Sequence, residues 1–239
     1  MFAQFTNYFC VEASQIQAKL QDANFGGGSV TIPLKLDVIP LMSTLSPSAM
    51  AIGAVNTIFK DSDFKWVGDN TDWLGILRPI SRRYTKTKIP TVLILGAGGT
   101  ARAACYAMTQ LQANLYIFNR TTSKAAEIAD YFSATVVESL EKVDIIFDII
   151  IGTIPASAGM KIPEALFHAE LIVMDAAYLP AITPLLQQAT QKGCSCIQGA
   201  EMLYEQALEQ YRLWTGTAVP DRIMSEAVWS SVPIEERLN

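Results

Sequence analysis

The sequence predicts an α/β protein in two domains, a short mixed α/β substrate domain and a doubly wound parallel-sheet domain. From residue 90 onward, short β-branched runs alternate with helical stretches, the pattern of βαβ units whose sheet is covered on both faces. Before residue 77 the elements are shorter and include a hairpin-like pair. Between the halves, SRRYTKTKIP at 81–90 is polar, basic and ends in Pro, as a boundary should be. Two late helices are expected to return to the first half. The expected division is therefore 1–76 plus 202–239 for the smaller domain and 77–201 for the doubly wound one.

Taken in order, NYFCVEA (7–13) reads as a strand and SQIQAKLQ (14–21) as a helix. GGGSVTIP (26–33) is a glycine-rich turn leading into a strand. LKLDVIPLM (34–42) has helical period, with Pro40 as a break. VNTIFK (55–60) and KWVGDN (65–70) are strands joined by the turn DSDF. In the second half TVLILG, NLYIFN, TVVES, DIIFDIIIG, LIVMDAAY and SCIQG are strand-like. TARAACYAMTQL and TSKAAEIADYF are helical, as are EMLYEQALEQYRLW and PDRIMSEAVW; Pro220 suits a helix start.

Composition removes several function classes. The chain has 239 residues, half of them apolar, and a net charge of −5. Its longest basic run is Arg82-Arg83, so it offers no electrostatic footprint for nucleic acid or an anionic membrane. The apolar run from Ile145 to Ile151 is interrupted by Asp148 and falls short of the roughly 20 residues of a bilayer span. A small molecule is the expected partner. The N-terminus lacks the basic and apolar regions of a signal peptide, and four irregularly spaced cysteines suit a reduced compartment, so a cytoplasmic protein is expected. Cys194-x-Cys196 has no second pair to complete a zinc site, and no metal is expected. His168 is the only histidine, which removes the usual nucleophilic triads and leaves proton transfer to Lys, Asp, Glu or Tyr.

Gly96-Ala97-Gly98-Gly99-Thr100-Ala101 is a G-x-G-x-x-A turn between a predicted strand and a predicted helix. The first glycine permits the tight turn and the second lets the main chain approach a pyrophosphate. The small Ala101 lets helix and strand pack while the helix N-terminus faces the phosphates. This is the arrangement of a Rossmann-type dinucleotide site. At the end of the next strand, where an NAD site carries an acid for the ribose 2′-hydroxyl, the chain has Asn119-Arg120-Thr121, with Thr122 and Lys124 following. Positive charge and donors suit a 2′-phosphate, so NADP is expected rather than NAD. The same stretch also reads as a helix cap.

In the first half, polar groups gather in SVTIPLK (29–35), AVNT (54–57) and GDNTD (68–72). Together with GAGGTARAA (96–104), NRT (119–121), IGTIPA (151–156), DAAYLPAITPLL (175–186) and GAEMLYEQALEQYRLWTG (199–216), these make the chain resemble the shikimate dehydrogenase family over nearly its whole length. The wording FGGGSVTIPLKLDVIPL is most similar to the corresponding domain of the fungal pentafunctional arom proteins. The resemblance implies NADP-dependent, reversible reduction of 3-dehydroshikimate to shikimate in aromatic amino-acid biosynthesis. It implies Lys35 and Asp72 as the catalytic pair, and Thr31, Asn56, Tyr178 and Gln206 as substrate contacts. Met202 would lie against the nicotinamide and Thr153 would join the cofactor site. The serine-bearing SxSPxxHN stretch of the family is not in the sequence, which starts at the equivalent of the family's second strand. Substrate-carboxylate binding and the first sheet are therefore expected to be weakened. The alternatives are a non-catalytic regulatory relative similar to the quinate-pathway repressor, or a quinate/shikimate dehydrogenase. Membership of a longer multidomain protein is a further expectation.

Overall fold

In the computed structural model, which describes Cys10 and residues 12–238, the chain packs as two units, Met1–Asn70 and Thr71–Asn239. Of the strand expected over 7–13, residues 7–9 and 11 lie outside the described residues, while Glu12 caps the first helix and Ala13 begins it. In the first unit, helix α1 (Ala13–Leu20) starts with a capping box, in which the Glu12 main-chain N–H donates to Gln15 Oε1 at 3.1 Å. A four-stranded sheet follows, from β1 (Gly27–Ser29), β2 (Thr44–Leu45), β3 (Thr57–Lys60) and β4 (Trp66–Asp69). Its order is β1-β3-β4-β2, with β1–β3 and β3–β4 antiparallel and β2–β4 parallel. Helix α2 (Pro47–Ile52) lies between β2 and β3 in the chain. Ser46 caps it by accepting the Ala49 N–H at 3.1 Å, Pro47 occupies its first turn, and Gly53 ends it with φ 69°. Val30, Leu34, Val38, Ala49, Val55 and Ile58 form the core of this unit against Ile16.

Two expectations are corrected here. The strand read over 26–33 stops at Ser29. The Val30 N–H still reaches the Asn56 carbonyl at 2.7 Å, but the chain then turns. LKLDVIPLM is not a helix but a run of turns closing in a 3₁₀ turn at Ile39–Leu41. Pro40 has no N–H to donate back along a helix, so the helical period of 34–42 cannot propagate.

The second unit contains α3 (Asp72–Arg83), β5 (Thr91–Leu95), α4 (Gly99–Thr109), β6 (Asn114–Phe118), α5 (Thr122–Phe132), β7 (Thr135–Val136) and β8 (Ile149–Gly152). It continues with β9 (Ile172–Asp175), α6 (Pro184–Gln191), β10 (Ser195–Ile197), α7 (Gly199–Thr215) and α8 (Asp221–Ser230). All six strands are parallel, in the order β10-β9-β8-β5-β6-β7. This is the doubly wound order in which strand succession reverses between the first and fourth strands, here β5 and β8. Strand length tapers outward, from five residues in β5 and β6 to three in β10 and two in β7. Of DIIFDIIIG only the second half is strand. The Asp148 carboxylate accepts the Thr91 N–H at 3.0 Å and pairs with Lys88 at 2.7 Å, which marks the start of β8, while Ile146 is exposed.

The boundary stretch 81–90 is also used differently from expectation. Helix α3 runs on through Pro79 to Arg83, and its arginines face α7. Arg82 pairs with Glu201 at 2.9 Å and Glu205 at 2.7 Å, Arg83 with Glu201 at 2.9 Å, and Arg78 with Glu205 at 3.5 Å. By packing, α3, α7 and α8 thus belong with the six-stranded sheet, which differs from the division read from sequence. Among the described residues no helix is long and apolar enough to cross a membrane.

Candidate functional site

The polar groups of the first unit divide into those that hold the fold and those that present chemistry. Asp69 accepts the Ser48 hydroxyl at 2.7 Å, the Asn70 N–H at 2.7 Å and the Ser46 hydroxyl, tying β4 to the start of α2. Asn70 donates from Nδ2 to the Ala54 carbonyl at 2.9 Å, and the Asn56 N–H donates to the Asp69 carbonyl at 3.0 Å. The AVNT and GDN stretches are therefore laced together across β3 and β4. Asn56 is buried, and its Oδ1 accepts the Thr57 hydroxyl at 2.6 Å. Lys35 is 7% exposed, and its carbonyl accepts the Val55 N–H at 2.7 Å, which fixes its main chain beside the same stretch. Thr31 is exposed at the start of the turn, accepting the Leu34 N–H at 2.9 Å.

In the second unit Asp72 is 1% exposed in the first turn of α3, where the helix dipole favours a carboxylate. Helices α3 and α7 approach closely at Gly75. A Cβ there would come within 2.7 Å of the Met202 carbonyl oxygen, 3.0 Å of Met202 Cγ and 3.3 Å of Gln206 Cβ. Met202 and Gln206 share one face of α7, as their i, i+4 spacing requires, and Met202 is buried. Tyr178 stands half-exposed on the segment between β9 and α6.

The glycine turn lies at the carboxyl ends of β5 and β8. Gly96 has φ +118°, and its N–H donates to the Phe118 carbonyl at 2.8 Å. A side chain there would strike Thr153 and Ile154. Thr153 is itself tethered to the end of β5, its N–H and hydroxyl donating to the Leu95 carbonyl at 2.9 and 2.8 Å. Gly98 is different: it is exposed, extended at φ −103° and ψ −170°, and a Cβ there would meet nothing within 4 Å. No packing demand of the protein requires glycine at 98. The open main chain caps α4, and a group approaching it meets the N-terminus of that helix. Gly99, Thr100 and Ala101 are buried in its first turn, while Ala97 is half-buried. At the end of β6, Asn119 donates to the Thr121 carbonyl at 2.9 Å. Arg120, Thr121 and Lys124 are exposed at the start of α5, and the Thr121 side chain makes no cap bond.

Sequence reading singled out neither Asp175 nor Gln198. Asp175 ends β9 and is buried, accepting the Thr183 hydroxyl at 2.6 Å and the Ala177 N–H at 3.1 Å. Burial raises its pKa to about 6, against the lowering pull of these two bonds. A carboxyl raised above its unfolded value of 3.8 makes the native state bind protons more readily than the unfolded chain. Its contribution to stability therefore grows as pH falls from about 6 towards 4 and is absent above that range. We expect Asp175→Asn to be more stable than the parent at pH 8, with an advantage of up to about 3 kcal/mol that shrinks towards pH 4. Urea titrations at both pH values test this, and a constant difference would mean that Asp175 titrates normally. The signals for it in sequence were a charge ending the apolar run LIVMD and its place at the head of the stretch DAAYLPAITPLL.

His168 and the cysteines take structural positions. His168 Nε2 lies 2.9 Å from the Phe147 carbonyl, and Cys194 Sγ donates to the His168 carbonyl at 3.3 Å.

Comparison with known proteins identifies the family. Residues 7–58 match the family described as shikimate dehydrogenase substrate binding domain, 80–177 match shikimate/quinate 5-dehydrogenase, and 199–228 match the shikimate 5′-dehydrogenase C-terminal domain. The chain is 38% identical over 228 residues to the pentafunctional AROM polypeptide of Kluyveromyces lactis, covering 86% of this chain and 14% of that one. It is thus a small fraction of the length of such relatives. It is 36% identical to the NADP(+) shikimate dehydrogenase of Aquifex aeolicus, over 84% of this chain and 76% of that one. The crystal structure of the Thermus thermophilus shikimate 5-dehydrogenase in complex with NADP(H) and shikimate superposes with a TM-score of 0.79 at 29% identity, covering 92% of this chain and 84% of that one.

Proposed function

Because the chain belongs to the shikimate dehydrogenase family, we propose that it catalyses the NADP-dependent, reversible reduction of 3-dehydroshikimate to shikimate. The observation that carries the reading is the Gly96–Ala101 turn at the strand-order reversal, with its second glycine open to solvent for a reason that packing does not supply. NADPH, when bound, supplies the hydride to the ketone carbon. The Gly98 main chain and the start of α4 take the pyrophosphate, and Arg120, Thr121 and Lys124 take the 2′-phosphate. Thr153 and Met202 complete the cofactor contacts. Lys35 gives the proton to the ketone oxygen and stabilises the charge that develops there. Asp72, Asn56 and Thr31 hold ring hydroxyls, with Tyr178 and Gln206 as further substrate contacts. On this reading 1–76 and 202–239 serve the substrate and 77–201 the cofactor, except that Met202 is assigned to the cofactor and Tyr178 to the substrate. The four cysteines are free thiols, which suits a cytoplasmic enzyme, and the coverage of AROM relatives suits a module of a multidomain pathway protein.

The test is NADPH consumption with 3-dehydroshikimate as substrate. Turnover, with shikimate preferred to quinate in the reverse direction, supports the proposal. A folded chain that binds NADPH without turnover overturns it and favours a regulatory relative. The 2′-phosphate assignment has its own check, since Arg120→Ala should weaken NADPH binding by about tenfold or more while leaving NADH binding unchanged. Equal affinity of the parent chain for the two cofactors would overturn the assignment.

A further inference from the structure

The segment 176–183 between β9 and α6 carries Tyr178 and Leu179 on its exposed side, and buried side chains hold it from two directions. From β9, Asp175 reaches both of its ends: Oδ1 accepts the Ala177 N–H at 3.1 Å and Oδ2 the Thr183 hydroxyl at 2.6 Å. Thr183 in turn caps α6 by accepting the Leu186 N–H at 3.3 Å. From the end of β10, Gln198 is 3% exposed and donates from Nε2 to the Ala181 carbonyl at 3.1 Å. The same amide donates to the Glu236 carbonyl at 2.8 Å, and its Oε1 accepts the Leu238 N–H at 2.8 Å. Gln198 precedes the first residue of α7. It does not cap that helix with its side chain but spends the side chain on the 176–183 segment and the chain's last described residues. Ala181, Ala200 and Val232 pack together behind it. Gly199 closes the arrangement, because a Cβ there would come within 2.6 Å of the Ala177 carbonyl carbon.

We propose that Asp175 and Gln198 are positioning residues that hold the 176–183 arm, and with it Tyr178, in fixed register with the helix carrying Met202 and Gln206. The inference rests on the reading of Tyr178 and Gln206 as substrate contacts. A buried amide bonded three times to main chain and a buried carboxylate bonded twice leave the arm little freedom to drift, and a misplacement of about 1 Å in a positioning element costs roughly 10²-fold in rate. The C-terminal segment becomes part of the site through this linkage, because the amide that holds Ala181 also holds residues 236 and 238. Gln198→Leu keeps the bulk of the side chain and removes all three bonds. Asp175→Ala removes both of its bonds, and Asp175→Asn keeps an acceptor for the Ala177 N–H and replaces the acceptor for the Thr183 hydroxyl with an amide donor to the Thr183 oxygen.

The experiment measures shikimate affinity by calorimetry in the presence of NADP, NADP affinity alone, and deuterium exchange at amides 177–182. Gln198→Leu and Asp175→Ala should weaken shikimate binding by about tenfold or more, speed exchange in the arm, leave NADP affinity unchanged, and be rescued at position 175 by Asn. If Asp175→Ala does not fold, Gln198→Leu alone decides. A parent that binds shikimate together with a Gln198→Leu variant that binds it equally well would overturn the positioning role, as would an equal loss of NADP affinity, which marks general damage. A parent chain that binds NADP but no shikimate overturns the functional reading itself and is thereby distinct from failure of the arm.

Discussion

Lys35→Met is expected to lower turnover of 3-dehydroshikimate by about 10³-fold or more while leaving NADPH affinity unchanged. The substitution keeps the apolar stem that the first unit buries and removes the ammonium group. Its main chain is held by the Val55 N–H and its neighbours Leu34 and Val38 are buried, a packing that the methionine side chain keeps. What is lost is proton donation and stabilisation of the developing alkoxide, together about 4 kcal/mol of barrier. Cofactor affinity is spared because every residue assigned to NADPH belongs to the second unit, whereas Lys35 belongs to the first and is assigned to the substrate. Steady-state rates and fluorescence titration with NADPH separate the two quantities. Retained turnover would remove Lys35 from the chemistry, and a fall in NADPH affinity would place it on the cofactor instead.

Two neighbouring glycines should fail in opposite ways. Gly98→Asp is expected to weaken NADPH binding by about 10²-fold or more with no loss of thermal stability, because the extended main chain at 98 accepts any residue and Asp is a favoured cap. A Cβ at 98 meets nothing within 4 Å, and the negative charge it would carry opposes a phosphate held at the start of α4. Gly96→Ala instead should cost about 2–3 kcal/mol of stability, since φ +118° is strained for any side chain and the methyl group would strike Thr153 and Ile154. Thermal melts with and without NADPH distinguish them. A destabilised Gly98→Asp with normal NADPH affinity would show that position 98 is glycine for the fold and not for a ligand.

Much of the second unit was legible because its strands and helices are local signals, most of them joined by short connections, the stretches 137–148 and 153–171 on either side of β8 being the exceptions. The run TVLILG, the glycine turn and the helix after it fall where periodicity puts them, and order in the sheet follows from the βαβ rule. The first unit was harder. Its core depends on Val30, Leu34 and Val38 meeting Ile58 and Ala49 from distant parts of the chain, and the period of 34–42 imitates a helix that Pro40 forbids. Helix α2 carried every punctuation mark, Ser46 before it, Pro47 within it and Gly53 after it, but at six residues it was too short for periodicity to register. Of the site, the glycine turn and Arg120 could be read from local pattern. Gln198 could not, because its bonds run to the Ala181, Glu236 and Leu238 main chain far along the sequence, and Asp175 could not, because its bonds to the Ala177 N–H and the Thr183 hydroxyl depend on how the chain turns after β9.

The outward taper of the six-stranded sheet bears on how the molecule behaves in crowded solution. A parallel sheet ends in unpaired amides and carbonyls, and long flat ends recruit strands from other chains. Here the ends are Thr135–Val136 and Ser195–Ile197, too short to template more than a few intermolecular bonds. The hydrogen-bonding capacity of the central strand β5 is taken up from both sides, by β6 and by β8. In this sheet the limit on edge-to-edge pairing is set by strand length, without calling on surface charge.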